Sequence, residues 1–169
     1  DEIKKQIIAK ASHTRSQFTN LKVIGITGSF GKTSTKYFLH HLLNTQTGVH
    51  MSTDRRNETF VIAQDMLAQL SDTSSIYVVE MGAYAPGEIA QLARLAQPSI
   101  GVVTAISNQH LALFGSLEQL AAAKWELIDA LPADGIAVLN ADDSTIVKKA
   151  GKHKGRIIWY SLHKPTDVW

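Results

Sequence analysis

The feature that most constrains the fold is the stretch GITGSFGKTST, residues 25–35, which lies between an apolar run and a helical pattern. The run before it, residues 21–24, is typical of a strand, and Tyr37, Phe38 and Leu39 follow it at positions that suit a helix. Glycine lets the backbone turn sharply at such a junction because it has no Cβ atom. The stretch therefore predicts a strand, a tight loop and a helix in that order.

Several residues of this loop suit the binding of a phosphate group. Gly28 and Gly31 allow backbone N–H groups to curl around an anion, and a helix starting near Lys32 would point the positive end of its dipole at the same place. The Lys32 ammonium would neutralise charge, and the Thr33 hydroxyl could ligate magnesium. The usual pattern, G-x-x-x-x-G-K-[ST], would place a glycine where Ile26 stands. The alternative is a turn that only joins a strand to a helix, but the combination of all the parts favours phosphate binding.

Strand-like and helix-like segments alternate along the rest of the chain. This order predicts a three-layer αβα sandwich with a mostly parallel sheet, like that of the P-loop NTPases. We predict strands at residues 22–27, 48–52, 76–81, 100–105, 135–140 and 156–161.

Helices are predicted where apolar residues recur at helical spacing. The first covers residues 1–18, and a later one covers residues 142–150. The helix after the glycine loop has the stripe Thr35, Phe38, Leu39 and Leu42, and the next has Ile62, Met66 and Leu70. A further helix starts at Pro86, with Ile89, Leu92, Ala93 and Ala96 behind it. Ser116 and Gln119 form a capping box before the core positions Leu117, Leu120, Ala121, Ile128 and Leu131.

Composition limits the class of protein. The 169 residues, 44% hydrophobic and 19% charged, fit one compact domain. A net charge of +2 does not require nucleic acid as a partner, and we expect none. The absence of cysteine excludes disulfides, thiolate nucleophiles and cysteine-ligated zinc. No run approaches the roughly 18 apolar residues that span a bilayer, and no signal peptide is recognisable, so we expect no membrane span and a cytoplasmic location.

Two polar residues lie at or just after the ends of predicted strands, at the edge where ligands bind in doubly wound sheets. Glu80 ends an apolar run, a position at which phosphate-loop enzymes commonly place an acid for magnesium. The alternative to a magnesium ligand is that Glu80 simply faces solvent at the end of its strand. His110, just after the fourth strand, could ligate a second metal, although a lone loop histidine is more often simply solvated.

Lys124 lies on the apolar stripe of its helix, four residues after Leu120 and four before Ile128. A buried ammonium is costly, so this side chain extends to solvent, pairs with an acid or is chemically altered. The basic residues within 148–156, at the end of the last predicted helix, are interpreted as a solvated turn, because cations interact favourably with a helix C-terminus. A nucleic-acid patch would need exposed aromatic residues there, whereas Trp159 and Tyr160 fall in a predicted strand.

Four segments together resemble the central ATPase domain of the Mur ligases. They are GITGSFGKTST, VVEMGAYAPGEIA, VVTAISNQHLALFGSLEQLAAAKWELIDALP and GIAVLNADD, in family order and covering most of the chain from about residue 21 to residue 160. Within the family they are most similar to the ligases that add D-alanyl-D-alanine to a UDP-muramoyl-tripeptide. Mur-type loops share the departure from the usual pattern: they have a sequence like Thr27-Gly28-Ser29 where other phosphate-loop enzymes have the earlier glycine. The lack of an N-K-x-D segment independently favours ATP over GTP.

The resemblance implies a role for each site residue. ATP would be bound by Thr27, Gly28, Ser29, Phe30, Gly31, Lys32, Thr33 and Ser34, with Asn140 near adenine and Asp142 or Asp143 assisting. One Mg²⁺ would be held by Thr33 and Glu80, and a second would be reached by His110. Lys32, His110 and Lys124 would be catalytic, and Lys124 matches a lysine that several Mur ligases carry as a carbamate. Ala105 stands where asparagine is common, so one contact near the second metal is lost.

The implied activity is ATP-dependent amide bond formation in peptidoglycan precursor synthesis, with UDP-muramoyl-peptide and D-alanyl-D-alanine as substrates. Residues 1–20 would be a leading helix or connector, and residues 21–169 the ATP-binding central domain of a longer, monomeric enzyme whose flanking domains are absent. Such a piece would bind ATP without full ligase activity. Two alternatives stay open: a related ligase of the folylpolyglutamate or cyanophycin type, and a nucleotide-binding module without catalysis.

Overall fold

The computed structural model describes residues 2–53, 58–107 and 111–168, which form a sheet flanked by helices. The strands are β1 Lys22–Thr27, β2 Val49–Met51, β3 Ile76–Glu80, β4 Ile100–Val103, β5 Ile136–Asn140 and β6 Arg156–Tyr160. The helices are α1 Glu2–Gln17, α2 Lys32–Leu43, α3 Thr59–Gln69, α4 Glu88–Ala96, α5 Leu111–Phe114, α6 Leu117–Asp129 and α7 Ser144–Ala150.

The sheet has the order β2-β3-β1-β4-β5-β6, and within the described ranges every pair of neighbouring strands is parallel. The predicted α/β sandwich with a mostly parallel sheet is therefore confirmed. Parallel strands end at a common edge, so the C-terminal ends of β1, β3, β4 and β5 lie side by side. The register places Ile26 beside Glu80 and Thr27 beside Val103. Residues distant in sequence meet at this edge for that reason.

Two apolar clusters cover the two faces of the sheet. The larger one joins helices α1, α3, α4 and α6 to the sheet and includes Tyr77, Leu92 and Leu127, each almost fully buried. The smaller one contains Ile24, Ile26, Val78 and Val102, against which Leu39 and Leu43 of α2 pack. Strand side chains alternate between the two faces, so the nearly continuous apolar strands serve both clusters.

The predicted apolar face of α2 is wrong in part. Phe38 and Leu42 are 69% and 70% exposed, whereas Leu39 and Leu43 pack on the sheet and Lys36 is fully buried. The sequence around residues 36–43 offers two neighbouring apolar stripes at helical spacing, and periodicity alone does not decide which of them meets the sheet.

Element boundaries differ from the predictions by one or two residues. The helix predicted to start at Pro86 starts at Glu88, because Gly87 with a φ of 88° lies in the left-handed region just before it. Helix α7 starts at Ser144, where the Asp143 carboxylate accepts hydrogen bonds from the N–H groups of Thr145 and Ile146. Ser116 is the N-cap of α6 as predicted, because its Oγ accepts a hydrogen bond from the Gln119 N–H at 3.2 Å. The short helix α5 was not predicted.

The core of α6 agrees with the prediction. Leu120, Ala121 and Ile128 are buried, and Leu117 and Leu131 pack against the same cluster partly buried. The structure places Trp159 and Tyr160 in β6, as predicted. None of the helices in the described part of the chain is both long enough and apolar enough to cross a membrane.

Candidate functional site

The glycine loop connects β1 to α2 at the C-terminal edge of the sheet. Gly28 has a φ of 149° and Gly31 a φ of 79°, conformations that residues with a Cβ atom rarely adopt. Gly31 is the N-cap of α2, so the helix begins at Lys32. A Cβ atom at Gly28 would also collide with Thr104 Oγ1 from the segment after β4. Both glycines are therefore required by the conformation of the loop.

The segment after β4 holds this loop in place through hydrogen bonds. The Ser29 N–H donates to Ala105 O at 2.7 Å, and the Ser107 N–H donates to Ser29 Oγ at 3.0 Å. Ser29 is buried, while Phe30 is 54% exposed and Ser34 is also exposed. The loop is thus attached to the sheet on one side and open to solvent on the other.

Lys32 extends over its own loop, where its Nζ donates a hydrogen bond to Gly28 O at 3.0 Å. Burial lowers the pKa of Lys32, and the nearby Glu80 carboxylate acts in the opposite direction. The ammonium of Lys32 therefore lies beside the backbone of residues 28–31, where an anion in the loop would meet it.

Thr33 and Glu80 are brought together by the pairing of β1 with β3. The Thr33 hydroxyl donates to Glu80 Oε2 at 2.9 Å, and Glu80 is only 5% exposed, so the carboxylate does not face solvent. The Glu80 N–H donates to Ser52 Oγ at 3.1 Å. A hydroxyl and a carboxylate in contact are the hard oxygen donors that Mg²⁺ prefers, so this pair fits the predicted metal.

Lys36 is a residue of the site that sequence reasoning missed. It is fully buried, donates a hydrogen bond to Ser52 O at 3.1 Å, and its Nζ lies 3.8 Å from Glu80 Oε2. Its position four residues after Lys32 places both side chains on one side of α2, and this spacing was the available signal.

Lys124 is buried in α6, with 4% of its surface exposed, so it does not extend to solvent. Within the described ranges, no carboxylate forms an ion pair with it. Burial, with a smaller contribution from the positive charge of Lys32, lowers the pKa of Lys124 to about 8. The positive charge of Lys32 is thus close enough to disfavour the charged form of Lys124.

Asn140 at the end of β5 lies next to the segment that holds the loop. Its Nδ2 donates to Thr104 O at 3.0 Å, and its Oδ1 accepts a hydrogen bond from the Asp142 N–H at 2.9 Å. Asp143 Oδ2 accepts from the Ile106 N–H at 2.6 Å. Asn140 and Asp143 therefore fix the ends of β4 and β5 relative to each other.

His110 lies outside the described residues, so its predicted role stays a prediction. Among the residues that the structure describes, no three histidine or carboxylate side chains are grouped as a metal site. The Thr33 and Glu80 pair thus supplies two ligand groups, and the remaining positions around a metal would come from other donors.

Comparison with known proteins adds information on the family. A family profile described as the Mur ligase middle domain matches residues 26–169. The chain belongs to the Mur ligase middle-domain family. This match includes the glycine loop from Ile26 onward together with Glu80, Lys124 and Asn140.

Named Mur ligases and one solved Mur ligase structure are similar to this chain over most of the chain's length. It is 41% identical to the UDP-N-acetylmuramoyl-tripeptide--D-alanyl-D-alanine ligase of Bacillus subtilis over 72% of the chain, and 35% identical to the protein of that name from Synechocystis over 90%. The MurF ligase from Thermotoga maritima, whose crystal structure is a complex with ADP, superimposes with a TM-score of 0.88 at 28% identity over 95% of the chain.

The Mur ligase relatives are much longer than this chain. It covers 33% of the Synechocystis protein, 26% of the Bacillus subtilis protein and 37% of the Thermotoga maritima chain. The similarity therefore concerns one domain of those enzymes.

Proposed function

We propose that the chain is the ATP-binding catalytic core of an ATP-dependent peptide ligase of peptidoglycan precursor synthesis. The observation that carries the proposal is the contact between the Thr33 hydroxyl and the buried Glu80 carboxylate, at the head of a phosphate-type loop in a Mur ligase middle domain. The named relatives support D-alanyl-D-alanine and a UDP-muramoyl-tripeptide as substrates of the whole enzyme. The ADP complex of the Thermotoga maritima protein supports adenine nucleotide binding.

The proposed reaction has two steps. An oxygen of the substrate carboxylate attacks the γ-phosphorus of ATP, the bond to the β-phosphate oxygen breaks, and ADP leaves an acyl phosphate. The amine then attacks the acyl carbon, phosphate leaves with the shared oxygen, and the nitrogen loses a proton to give the amide. Neither step needs a nucleophilic side chain, so the protein contributes position and charge.

The chain's own groups suit the first step. Backbone N–H groups of residues 27–34 and the positive end of α2 would surround the phosphates, and the Lys32 ammonium would move from Gly28 O to a phosphate oxygen. Thr33 and Glu80 would hold Mg²⁺, with His110 proposed for a second ion. When bound, Mg²⁺ neutralises negative charge on the transferring phosphoryl oxygens.

Lys124 is proposed to act as a carbamate. A lysine with a pKa near 8 has a fraction of neutral amine at physiological pH, and only the neutral amine adds to carbon dioxide. The carbamate carries a negative charge, which would interact favourably with the Lys32 ammonium. The protonated amine of Lys124, in contrast, is repelled by Lys32. Asn140 is proposed to lie near the adenine base, with Asp142 and Asp143 supporting it.

The remaining parts of the proposal concern the whole enzyme. We propose a cytoplasmic, monomeric ligase in which residues 1–20 connect to a preceding part and residues 21–169 form the central domain. The acceptor substrates would be bound largely by the other parts of the longer relatives. The 169-residue chain should accordingly bind ATP without completing the ligation.

A thermal unfolding series tests nucleotide binding by this chain. With Mg²⁺ present, ATP at a hundred times its dissociation constant should stabilise the chain by about 2.7 kcal/mol. For a domain of this size the midpoint should rise by roughly 5 to 10 °C. GTP at the same concentration should give a much smaller shift. A larger shift with GTP than with ATP would contradict the proposal.

The variant Lys32→Ala should keep the fold but lose most of the ATP-induced shift, because the ammonium faces the loop and contributes charge to the site. Lys22→Ala, which removes an exposed lysine at the start of β1, is the matched control and should respond to ATP like the parent chain. Equal nucleotide shifts in all three proteins would contradict phosphate binding at this loop.

A further inference from the structure

Thr104 connects the segment after β4 to the glycine loop. It is 8% exposed, and its Oγ1 donates a short hydrogen bond to Phe30 O in the middle of the loop. The same oxygen lies 3.2 Å from Thr27 O, but that carbonyl already accepts the Thr104 N–H at 3.0 Å. A hydroxyl has one proton to donate, so Phe30 O is the acceptor that depends on the Thr104 side chain.

The backbone of Thr104 is held from the opposite direction. Its carbonyl accepts one hydrogen bond from Asn140 Nδ2 and another from the Tyr160 hydroxyl, each at 3.0 Å. Burial and the nearby carboxylates Asp143 and Asp142 raise the pKa of Tyr160 to about 12, so its hydroxyl stays a donor through the physiological range. Thr104 is thereby fixed by β5 and β6 while it contacts the loop.

The direction of the Phe30 carbonyl decides the direction of a second group. The peptide bond between Phe30 and Gly31 is trans, so its carbonyl and the Gly31 N–H point in opposite directions within one plane. When the Thr104 hydroxyl binds the carbonyl, the Gly31 N–H is turned away from Thr104. This N–H is among the donors that would face a phosphate.

We propose that Thr104 is a positioning residue of the phosphate loop, whose hydroxyl orients the peptide between Phe30 and Gly31 for phosphate binding. The inference rests on the proposed nucleotide binding and adds to it a residue from another strand. Gly28 belongs to the same arrangement, because any Cβ there would displace the Thr104 hydroxyl.

The experiment measures the affinity of the 169-residue chain for ADP and for AMP, in the presence of Mg²⁺, by displacement of a fluorescent ADP analogue. Thr104→Val keeps the shape of the side chain and removes the donor, so ADP should bind about tenfold more weakly. Thr104→Ser keeps the hydroxyl and should bind ADP within about twofold of the parent chain. AMP lacks the β-phosphate that such loops hold, so its affinity should change far less than that of ADP.

Two further comparisons make the outcome decisive. Thr73→Val removes a hydroxyl from the exposed turn before β3, at the opposite edge of the sheet from the loop, and should leave ADP affinity unchanged. If Thr104→Val does not fold, Thr104→Ala and Thr104→Ser form a pair that differs by one oxygen atom, and the alanine variant should show the tenfold loss.

ADP affinity equal to that of the parent chain in Thr104→Val, or in Thr104→Ala where valine does not fold, would overturn the role of Thr104 while leaving the proposed function intact. Equal losses for ADP and AMP would also overturn it, because a general loss of structure affects both ligands. A parent chain that does not bind ADP would overturn the proposed function and this inference with it.

Discussion

Lys124 carries an amine that is buried on an apolar helix face, where its charged form is disfavoured. We expect Lys124→Met to raise the free energy of unfolding at pH 7 by up to about 3 kcal/mol, the cost implied by lowering the pKa from 10.5 to about 8. The chain would lose the amine but gain an apolar side chain on an apolar stripe. Urea unfolding in buffer depleted of carbon dioxide measures this difference.

The pH dependence of that difference has a definite sign. Between pH 8 and pH 10.5 the folded chain has already lost the Lys124 proton while the unfolded chain still holds it, so the stability of the parent chain rises with pH. The advantage of the methionine variant should therefore shrink over this range. Lys22→Met, at an exposed position, should show no such change. An advantage that is independent of pH would contradict the lowered pKa.

At the level of single residues, the sequence predicted those site members that belong to a local pattern. Gly28, Gly31, Lys32 and Thr33 follow from the loop pattern, while the other residues of 27–34 follow from the family resemblance. The position of Lys124 on a buried face follows from its helical stripe. Lys36 and Thr104 were missed because their partners are distant in sequence. The contacts of Lys36 with Ser52 and Glu80 exist only because β2, β3 and β1 are neighbours in the sheet.

At the level of elements, Glu126 joins α6, the helix that carries Lys124, to α4. From α6 its carboxylate accepts hydrogen bonds from the N–H groups of Gly87 at 2.7 Å and Ala90 at 2.9 Å, at the start of α4. A negative charge there also interacts favourably with the helix dipole. Glu126→Gln should lower the free energy of unfolding by about 1 to 2 kcal/mol.

Urea unfolding measures this loss, and Asp129→Asn is the matched control. Asp129 ends the same helix, is exposed and would lose the same charge, yet it caps no neighbouring helix among the described residues. The control should change stability by no more than a few tenths of a kcal/mol. Equal effects of the two changes would mean that net charge, and not capping, explains the result.

Helices and strands were predictable where the spacing of apolar residues indicated the element and a turn residue marked its end. The strand at residues 22–27 was predicted with its observed bounds, because an apolar run ends there at a glycine loop. The orientation of α2 was not predictable, because Phe38 and Leu42 match the helical period as well as Leu39 and Leu43 do. The tertiary position of the sheet decides between them, and no local signal encodes it.

At the level of the whole molecule, Arg15 attaches α1 to the rest of the domain. The guanidinium is buried and donates to four carbonyl oxygens, those of Ala96 and Phe18 at 2.9 Å and those of Leu21 and Gln97 at 3.3 Å. It thereby supplies hydrogen-bond donors to carbonyl oxygens at the C-terminal end of α4 and in the turn between α1 and β1. Arg15→Met should lower the free energy of unfolding by about 2 to 4 kcal/mol.

Circular dichroism during urea unfolding measures the loss and also tests whether α1 unfolds with the sheet. A single transition is expected for the parent chain and for Arg15→Met, since α1 packs on α3 and α4 through Ile7 and Ile8. Lys10→Met changes an exposed residue of the same helix and should leave the midpoint unchanged. A separate early transition for α1 would show that the helix is an independent unit.

The pairing of β1 with β3 has a consequence for the sequence of binding events. It places the ammonium groups of Lys32 and Lys36 near the Glu80 carboxylate, so that in the part of the chain described by the structure two positive charges face one negative charge at this corner. A free divalent ion approaching alone is repelled there, whereas a polyphosphate is attracted. We therefore expect a nucleotide to bind here together with its own divalent ion, and the ion alone to bind weakly.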